Sequence, residues 1–258
     1  MTRRAPTLAL LAAVGLLAAC GKSGLPASAG RRPSGGSGSD RARALALARA
    51  INLTAADVPG FVATSTRSEH ESPAEKRLQA KLQECVHPVS SKPVAEAGSP
   101  AFQRKAGLAR ATVRSEVTVN SSATAAARAL AQIRSQRTRE CVSGYIQRLV
   151  EVQRHPGASF GGVTVVQRTP PAPGAGGSFA WRISVPVTAH GLTIGLYFDI
   201  FGFVSGANEV TLSLSGDPIP PPAGAEKLLF ALLLERTKAA EKGHTARPAA
   251  PNPHVRSS

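Results

Sequence analysis

The chain has 258 residues and a net charge of +15, from 31 Lys and Arg against 16 Asp and Glu. Few of these bases share a block, so the charge is a diffuse field, suited to loose attraction to anionic headgroups or acidic envelope polymers; arginine-rich, lysine-poor usage is also what a GC-rich genome produces. Aromatic residues make up only 4% of the chain, too few to line a basic groove in which bases stack, and no nucleic-acid partner is expected.

Met1-Thr2-Arg3-Arg4 precedes an uncharged stretch from Ala5 to Ala19, and Cys20 closes it. A basic start, a short apolar stretch and small residues before a cleavage point make an export signal. The stretch falls short of the roughly 20 residues of a spanning helix, so it reads as a signal and not an anchor. Leu17-Ala18-Ala19-Cys20 resembles a bacterial lipobox. That resemblance implies a signal peptide of residues 1–19, an acyl lipid on Cys20, and a mature chain held on the outer face of the cell membrane. An ordinary secretory signal with a chance cysteine is the alternative. Residues 20–40 are small, polar and aperiodic, the composition of a flexible tether. Cys20 is the odd one of three cysteines. An oxidising compartment favours pairing of Cys85 with Cys141, closing a loop of 56 residues worth about 4 kcal/mol in chain entropy. Two separate free thiols are the alternative. No second Cys or His lies at ligand spacing from either, so no metal is expected.

Residues 41–240 are enough for one domain with a core. Ala74, Leu78, Leu82 and Cys85 fall on one helical face from Pro73 to Val86. Val113, Val117 and Val119 alternate with polar residues in a strand over Thr112–Val119. Asn120, Ser121 and Ser122 supply cap oxygens for an alanine-rich helix to about Arg134. The next helix starts near Ser135–Thr138, with Cys141, Tyr145, Leu149 and Val152 as its stripe. Strands follow over Gly162–Gln167, Ala180–Thr188, Leu192–Phe203 and Glu209–Ser215, the last three an antiparallel meander turning at His190-Gly191 and at Ser205–Asn208. Pro186 cannot donate to a ladder, which marks an edge or a bulge. A last helix runs from Ala223 to Ala240 with Leu228, Leu229, Leu232 and Leu233 inward, and 241–258 is a proline-containing tail expected to be disordered. The expected architecture is α+β, an antiparallel sheet with a C-terminal meander and helices packed on one face.

Several of these pieces carry a resemblance: Asn52 to Phe61 (Asn-Leu-Thr-Ala-Ala-Asp-Val-Pro-Gly-Phe), Cys85, Ser99-Pro100-Ala101-Phe102, the strand to Val119, Ser135-Gln136-Arg137 with Cys141, and the meander. Together they resemble exported lipoproteins of actinobacteria, some with a PsbP-like α+β fold (the LpqN group), and more distantly kinase sensor ectodomains. The resemblance spans about residues 45–240 and implies a fold and a location. It supplies no catalytic motif.

The chain lacks GxSxG, SxxK, HExxH, CxxC and GxxxxGK[ST] signatures, so neither catalytic residues nor a cofactor are expected. The six histidines fall in loops or the tail, with His190 alone at a strand end. Acidic residues are dispersed, with no pairing that suggests glycoside hydrolysis, and Asp57 reads as a turn cap. Tyr197, Asp199 and Phe201 share the strand face opposite Phe198 and Ile200 and form a candidate cleft; a second buried face under the N-terminal helices is the other reading. The leading functional expectation is a non-catalytic envelope lipoprotein that binds a ligand or another envelope protein. A carrier of envelope lipid and an extracytoplasmic hydrolase with a site assembled in space are the alternatives.

Overall fold

The longest strand, Leu192–Ser205, is apolar on both faces over its second half, and that decides how the chain folds. Phe198 and Ile200 point one way, Phe201 and Phe203 the other, and all four are buried. Both faces of the sheet therefore need cover. The computed structural model describes residues 36–64, 72–86, 93–152, 157–172, 174 and 176–245. The expected signal peptide, Cys20, residues 20–35 and the end of the tail lie outside them.

Among the described residues are five α-helices: α1 (Gly36–Ile51), α2 (Pro73–Val86), α3 (Ala123–Ile133), α4 (Gln136–Val152) and α5 (Ala223–Thr245). The nine strands are β1 (Val62–Thr64), β2 (Ala95–Gly98), β3 (Ala101–Ala106), β4 (Ala109–Val119), β5 (Ala158–Phe160), β6 (Thr164–Gln167), β7 (Ser178–Ala189), β8 (Leu192–Ser205) and β9 (Asn208–Asp217). They form one antiparallel sheet in the order β1-β3-β4-β9-β8-β7-β5, with β2 on β4 and β6 on β7. The α+β class, the meander β7–β9 and the disulfide are as the sequence predicts. The helices, expected on one face, cover two. On the first face, Phe201, Phe203, Val117 and Leu212 pack under Ala48 and Ile51 of α1 and Phe230 and Leu233 of α5. On the second, Trp181, Ile183, Phe198 and Ile200 pack under Leu130 of α3 and Ile146 and Leu149 of α4. Position 202 on this second face is glycine because the Phe179 ring occupies the space a Cβ would need.

Local chemistry sets the element ends. Ser122 Oγ accepts from Ala125 N–H at 3.1 Å and Ser135 Oγ from Thr138 N–H at 3.1 Å, so both expected caps are in place. Helix α1 reaches back to Gly36, inside the stretch expected to be tether, because Ala44, Ala48 and Ile51 dock on the sheet and propagate the helix toward its start. Helix α5 runs past Ala240 to Thr245, since the Glu241 carboxylate accepts from Ser205 Oγ and Asn208 Nδ2. Its inward residues differ from expectation: Leu229 and Leu233 are buried with Phe230 and Leu234, whereas Leu228 is 74% exposed. Val152 is likewise exposed at the end of α4. Pro186 marks an interruption of the ladder, as expected. It pairs with Gly195 of β8 on one side, and on the other it lies in the break between β5 and β6, where residues 161–163 stand opposite 185 and 186, its carbonyl accepts from Gly161 N–H at 2.8 Å and no ladder needs its missing N–H.

Cys85 of α2 and Cys141 of α4 are disulfide-bonded, their Cα atoms 5.9 Å apart, within the span such a bond allows. Arg137 Nε also donates to the Cys85 carbonyl at 2.9 Å. Peptide mapping without reduction should recover the two cysteines joined, and Cys141→Ser should lower unfolding stability by up to about 4 kcal/mol. Two free thiols in protein taken from its native compartment would contradict this.

Candidate functional site

Three polar clusters stand out against the two apolar cores. The first lies on the first face, where the sequence places the candidate cleft. Asp199 is fully buried in the middle of β8 and cannot stand there as an unpaired anion. Its register partner on β7 is Arg182, whose Nε donates to Asp199 Oδ1 at 2.7 Å and whose Nη2 donates to Oδ2. Arg168, just past β6, brings Nη1 to 3.2 Å from Asp199 and 3.0 Å from Glu226 Oε1, with its guanidinium 5.6 Å from the centre of the Phe201 ring. Glu226 stands in the first turn of α5, and Arg182 also reaches it, at 3.3 Å. The Asp199 hydrogen bonds hold the Arg182 guanidinium above its ordinary range, against burial. Burial pushes Glu226 up, the Arg168 hydrogen bond opposes this, and contact with Asp199 pushes it up again; Glu226 titrates above the usual carboxylate range. Phe201 is fully buried with its ring edge-on to Phe230, 6.5 Å between centres. Of the three cleft residues, only Tyr197 stays partly open, its ring lying over Gly195. Asp199 and Phe201 belong to a second buried face and not to an open cleft.

The second cluster was hidden from sequence reasoning, which sees the acids as dispersed. Strand pairing sets Glu96 of β2 and Glu209 of β9 on either side of Thr118, with Glu116 two residues away on the same face of β4. Glu116 and Glu209 are 7% and 8% exposed. Buried Glu116 Oε1 has no donor, and the side chain in hydrogen-bond reach is another carboxyl, Glu96. Two acceptors in contact need a proton between them. Burial, then the contact with Glu96, push Glu116 up to about 8 despite Arg114 nearby. Burial raises Glu209 to about 7 against the pull of Asn120. The legible signal was the alternation of β4, which puts Glu116 and Thr118 on one face, but the partner strands lie 20 residues before and about 90 after it.

The third cluster explains the Asn52–Phe61 motif. Asn52 Nδ2 donates to the carbonyls of Ala48 at 2.9 Å and Ala97 at 2.8 Å, and its Oδ1 accepts from Ser115 Oγ at 2.7 Å. Ser115 Oγ in turn accepts from Leu53 N–H, and Ser99 Oγ accepts from Ser115 N–H. Asp57 caps the turn as expected, accepting from Thr54 N–H at 2.7 Å, and receives both Nη groups of Arg236 from α5. Burial alone would raise Asp57, but the bonds from Arg236 and Thr54 outweigh it and hold its pKa below the ordinary value. The motif is a structural joint between α1, β2, β4 and α5.

His190 lies exposed at the β7–β8 turn with φ +53°, and the hydroxyls of Thr188 and Thr193 beside it are 2.8 Å apart, bonded to each other. His70, His87, His155 and His254 lie outside the described residues. Among the described residues, no group of three or more His, Cys, Asp or Glu is arranged to hold a metal ion, and no helix is long and apolar enough to cross a membrane.

No protein-family model and no curated protein matches the chain. Among solved structures it is distantly similar to the following three. LpqN of Mycobacterium tuberculosis, involved in cell envelope biogenesis, is 12% identical over 54% of this chain and 75% of that one, at TM-score 0.27. The extracellular domain of PknH from the same organism is 12% identical over 66% and 99%, at TM-score 0.30. The protein PA94 of Pseudomonas aeruginosa, of unknown function and a regulator by its description, is 12% identical over 61% and 85%, at TM-score 0.18. Overlap this loose leaves the functional reading to the chain's own residues.

Two outcomes test these clusters. Arg182→Met leaves buried Asp199 with Arg168 alone; chemical denaturation should show a loss of about 3–5 kcal/mol, the usual effect of stripping a partner from a buried pair, and a variant as stable as the parent would refute the role given to Arg182. For the carboxyl row, the folded values of Glu116 and Glu209 lie above the ordinary 4.5. Their contribution is therefore complete below about pH 4.5 and is lost as pH rises through 7 and 8. Between those limits the folded chain holds extra protons, and stability should fall by about 1.4 kcal/mol per pH unit for each proton held. Glu116→Gln keeps the shape and removes one titration, so its stability should decline less steeply from pH 5 to 8; a slope unchanged from the parent would show that Glu116 is ionised in the fold.

Proposed function

We propose that this chain is a non-catalytic binding module of the cell envelope, with a signal peptide over residues 1–19 and a lipid on Cys20 that holds it at the outer face of the cell membrane. The observation that carries the location is the Cys85–Cys141 disulfide. Such bonds persist outside the cytoplasm, and this one uses two of three cysteines and leaves Cys20, at the end of Leu-Ala-Ala-Cys, for the lipid. What supports binding over catalysis is the use made of the polar groups. Asp199 and Glu226 have their oxygens on Arg168 and Arg182, Asp57 is held by Arg236, and the hydroxyls nearest His190 bond each other. A general base must reach its nucleophile, and these groups are engaged in holding the fold. Binding then falls to exposed surface, with an envelope lipid or another envelope protein as the ligand class.

Cys20→Ala is the test. The variant should lose its acyl chains: protein cleaved at another point should leave the membrane fraction after a high-salt wash, and the rest should accumulate as uncleaved precursor. The salt wash removes attraction due to net charge alone. A variant that is processed normally and stays in the washed membrane would overturn the lipid anchor.

A further inference from the structure

Strand direction gathers three chain reversals at one end of the sheet. β4 and β8 begin there, and β3, β7 and β9 finish there. That end shows Leu108 at 96% exposure in the β3–β4 turn, Leu192 at 73% and Ile194 at 40% on the β7–β8 hairpin, and Ile219 at 64% just past β9. Arg110 pairs with Asp217, and Tyr197 with Gly216. From that register Leu192 projects four residues beyond the last level of β9 and Leu108 two beyond Arg110, about 14 and 7 Å at 3.4 Å per residue. Two strand spacings separate β4 from β8, about 10 Å. The leucines therefore sit on neighbouring projections, a convex surface and not a groove.

The charges at this end point to the partner. Lys105 stands directly opposite Arg110 in the β3–β4 ladder, with exposed Arg104 beside it. Like charges directly opposed across a ladder destabilise it in water. Asp217 answers Arg110 across the next pairing, and Lys105 and Arg104 remain exposed to solvent. An anionic surface relieves the repulsion, and exposed leucine between basic residues is the composition that settles at the boundary of headgroups and acyl chains.

We infer that this end of the sheet docks on an anionic lipid surface, with Leu108 and Leu192 entering the headgroup layer and the exposed Lys105 and Arg104 facing lipid phosphates. The inference rests on the envelope location proposed above, and a local readout separates its failure from failure of the anchor. The full chain carrying Cys20→Ala is labelled with a polarity-sensitive fluorophore through Leu108→Cys, Leu192→Cys or, as a control on the exposed side of α3, Ala127→Cys. Vesicles are phosphatidylcholine alone or mixed with phosphatidylglycerol.

Labels at 108 and 192 should shift to the blue on the mixed vesicles, revert in high salt and stay unchanged on phosphatidylcholine, while the label at 127 stays in water throughout. Lys105→Ala should weaken partition about five-fold, the worth of one basic residue near such a surface. The proposal is overturned if labels at 108 and 192 stay in water, or if all three positions respond alike, since residues outside this end would then be drawing the chain to the vesicle. It is also overturned if Lys105→Ala binds as the parent does.

Discussion

A single carboxylate at the centre of the longest strand constrains much of this molecule. Asp199 has no exposure to water, and a charge so placed survives only with fixed partners. Arg182 is supplied by the neighbouring strand and Arg168 by the segment after β6, so β6, β7 and β8 must be in register for Asp199 to be buried with its partners. Because the same guanidinium groups also reach Glu226, the start of α5 is tied to this point. From there Phe230 and Leu233 close the first face over Phe201 and Phe203. Farther along, Arg236 ties the helix to Asp57 and the carbonyl of Asn52. One helix thus reads two polar joints almost three turns apart, and the apolar packing lies between them.

The meander and the helix caps were legible in the sequence because they depend on neighbours. Alternation from Trp181 to Val187 and a serine three residues before a helical N–H are local signals. The two-sided cover was harder to see. Phe201 and Phe203 advertise a second apolar face, but the helices that meet it come from residues 36–51 and 223–245, one of them opening in a Gly-Ser run that looks like linker. The strands β1, β2 and β3 are short, and β2 carries only Ala, Glu and Gly, so no period marks them. For the candidate site, the face of Tyr197, Asp199 and Phe201 followed from alternation, whereas its occupants did not: Arg168 and Glu226 are 31 residues before and 27 after Asp199. The carboxyl row was missed for the same reason, since contacts across strands obey register and not spacing.

Buried polar joints of this kind favour one arrangement over its near competitors. A one-residue slip of β8 would turn Asp199 into the opposite apolar core, away from Arg182 and Arg168. The Asn52–Ser115–Ser99 joint does the same for the other half of the sheet, because Ser115 both accepts from Leu53 and donates to Asn52, and only one registration of β4 presents it. A protein whose polar groups are engaged in this way keeps a rigid frame and leaves recognition to its turns and outer faces.

The disulfide has a mechanical consequence. Residues 85 to 141 form a covalent ring that includes β2, β3, β4 and α3. A pull exerted through the N-terminal part of the chain and resisted at the C-terminal part takes the shortest covalent path, from Cys85 straight to Cys141. The strands inside the ring then bear tension only through non-covalent contacts, among them their hydrogen bonds to β1, to β9 and to Asn52 and Leu53, while the meander and α5 lie in the direct line of force. Under load from an anchored end, β2, β3 and β4 are shielded, and the extension available to the chain is shortened by the 56 residues the bond bypasses.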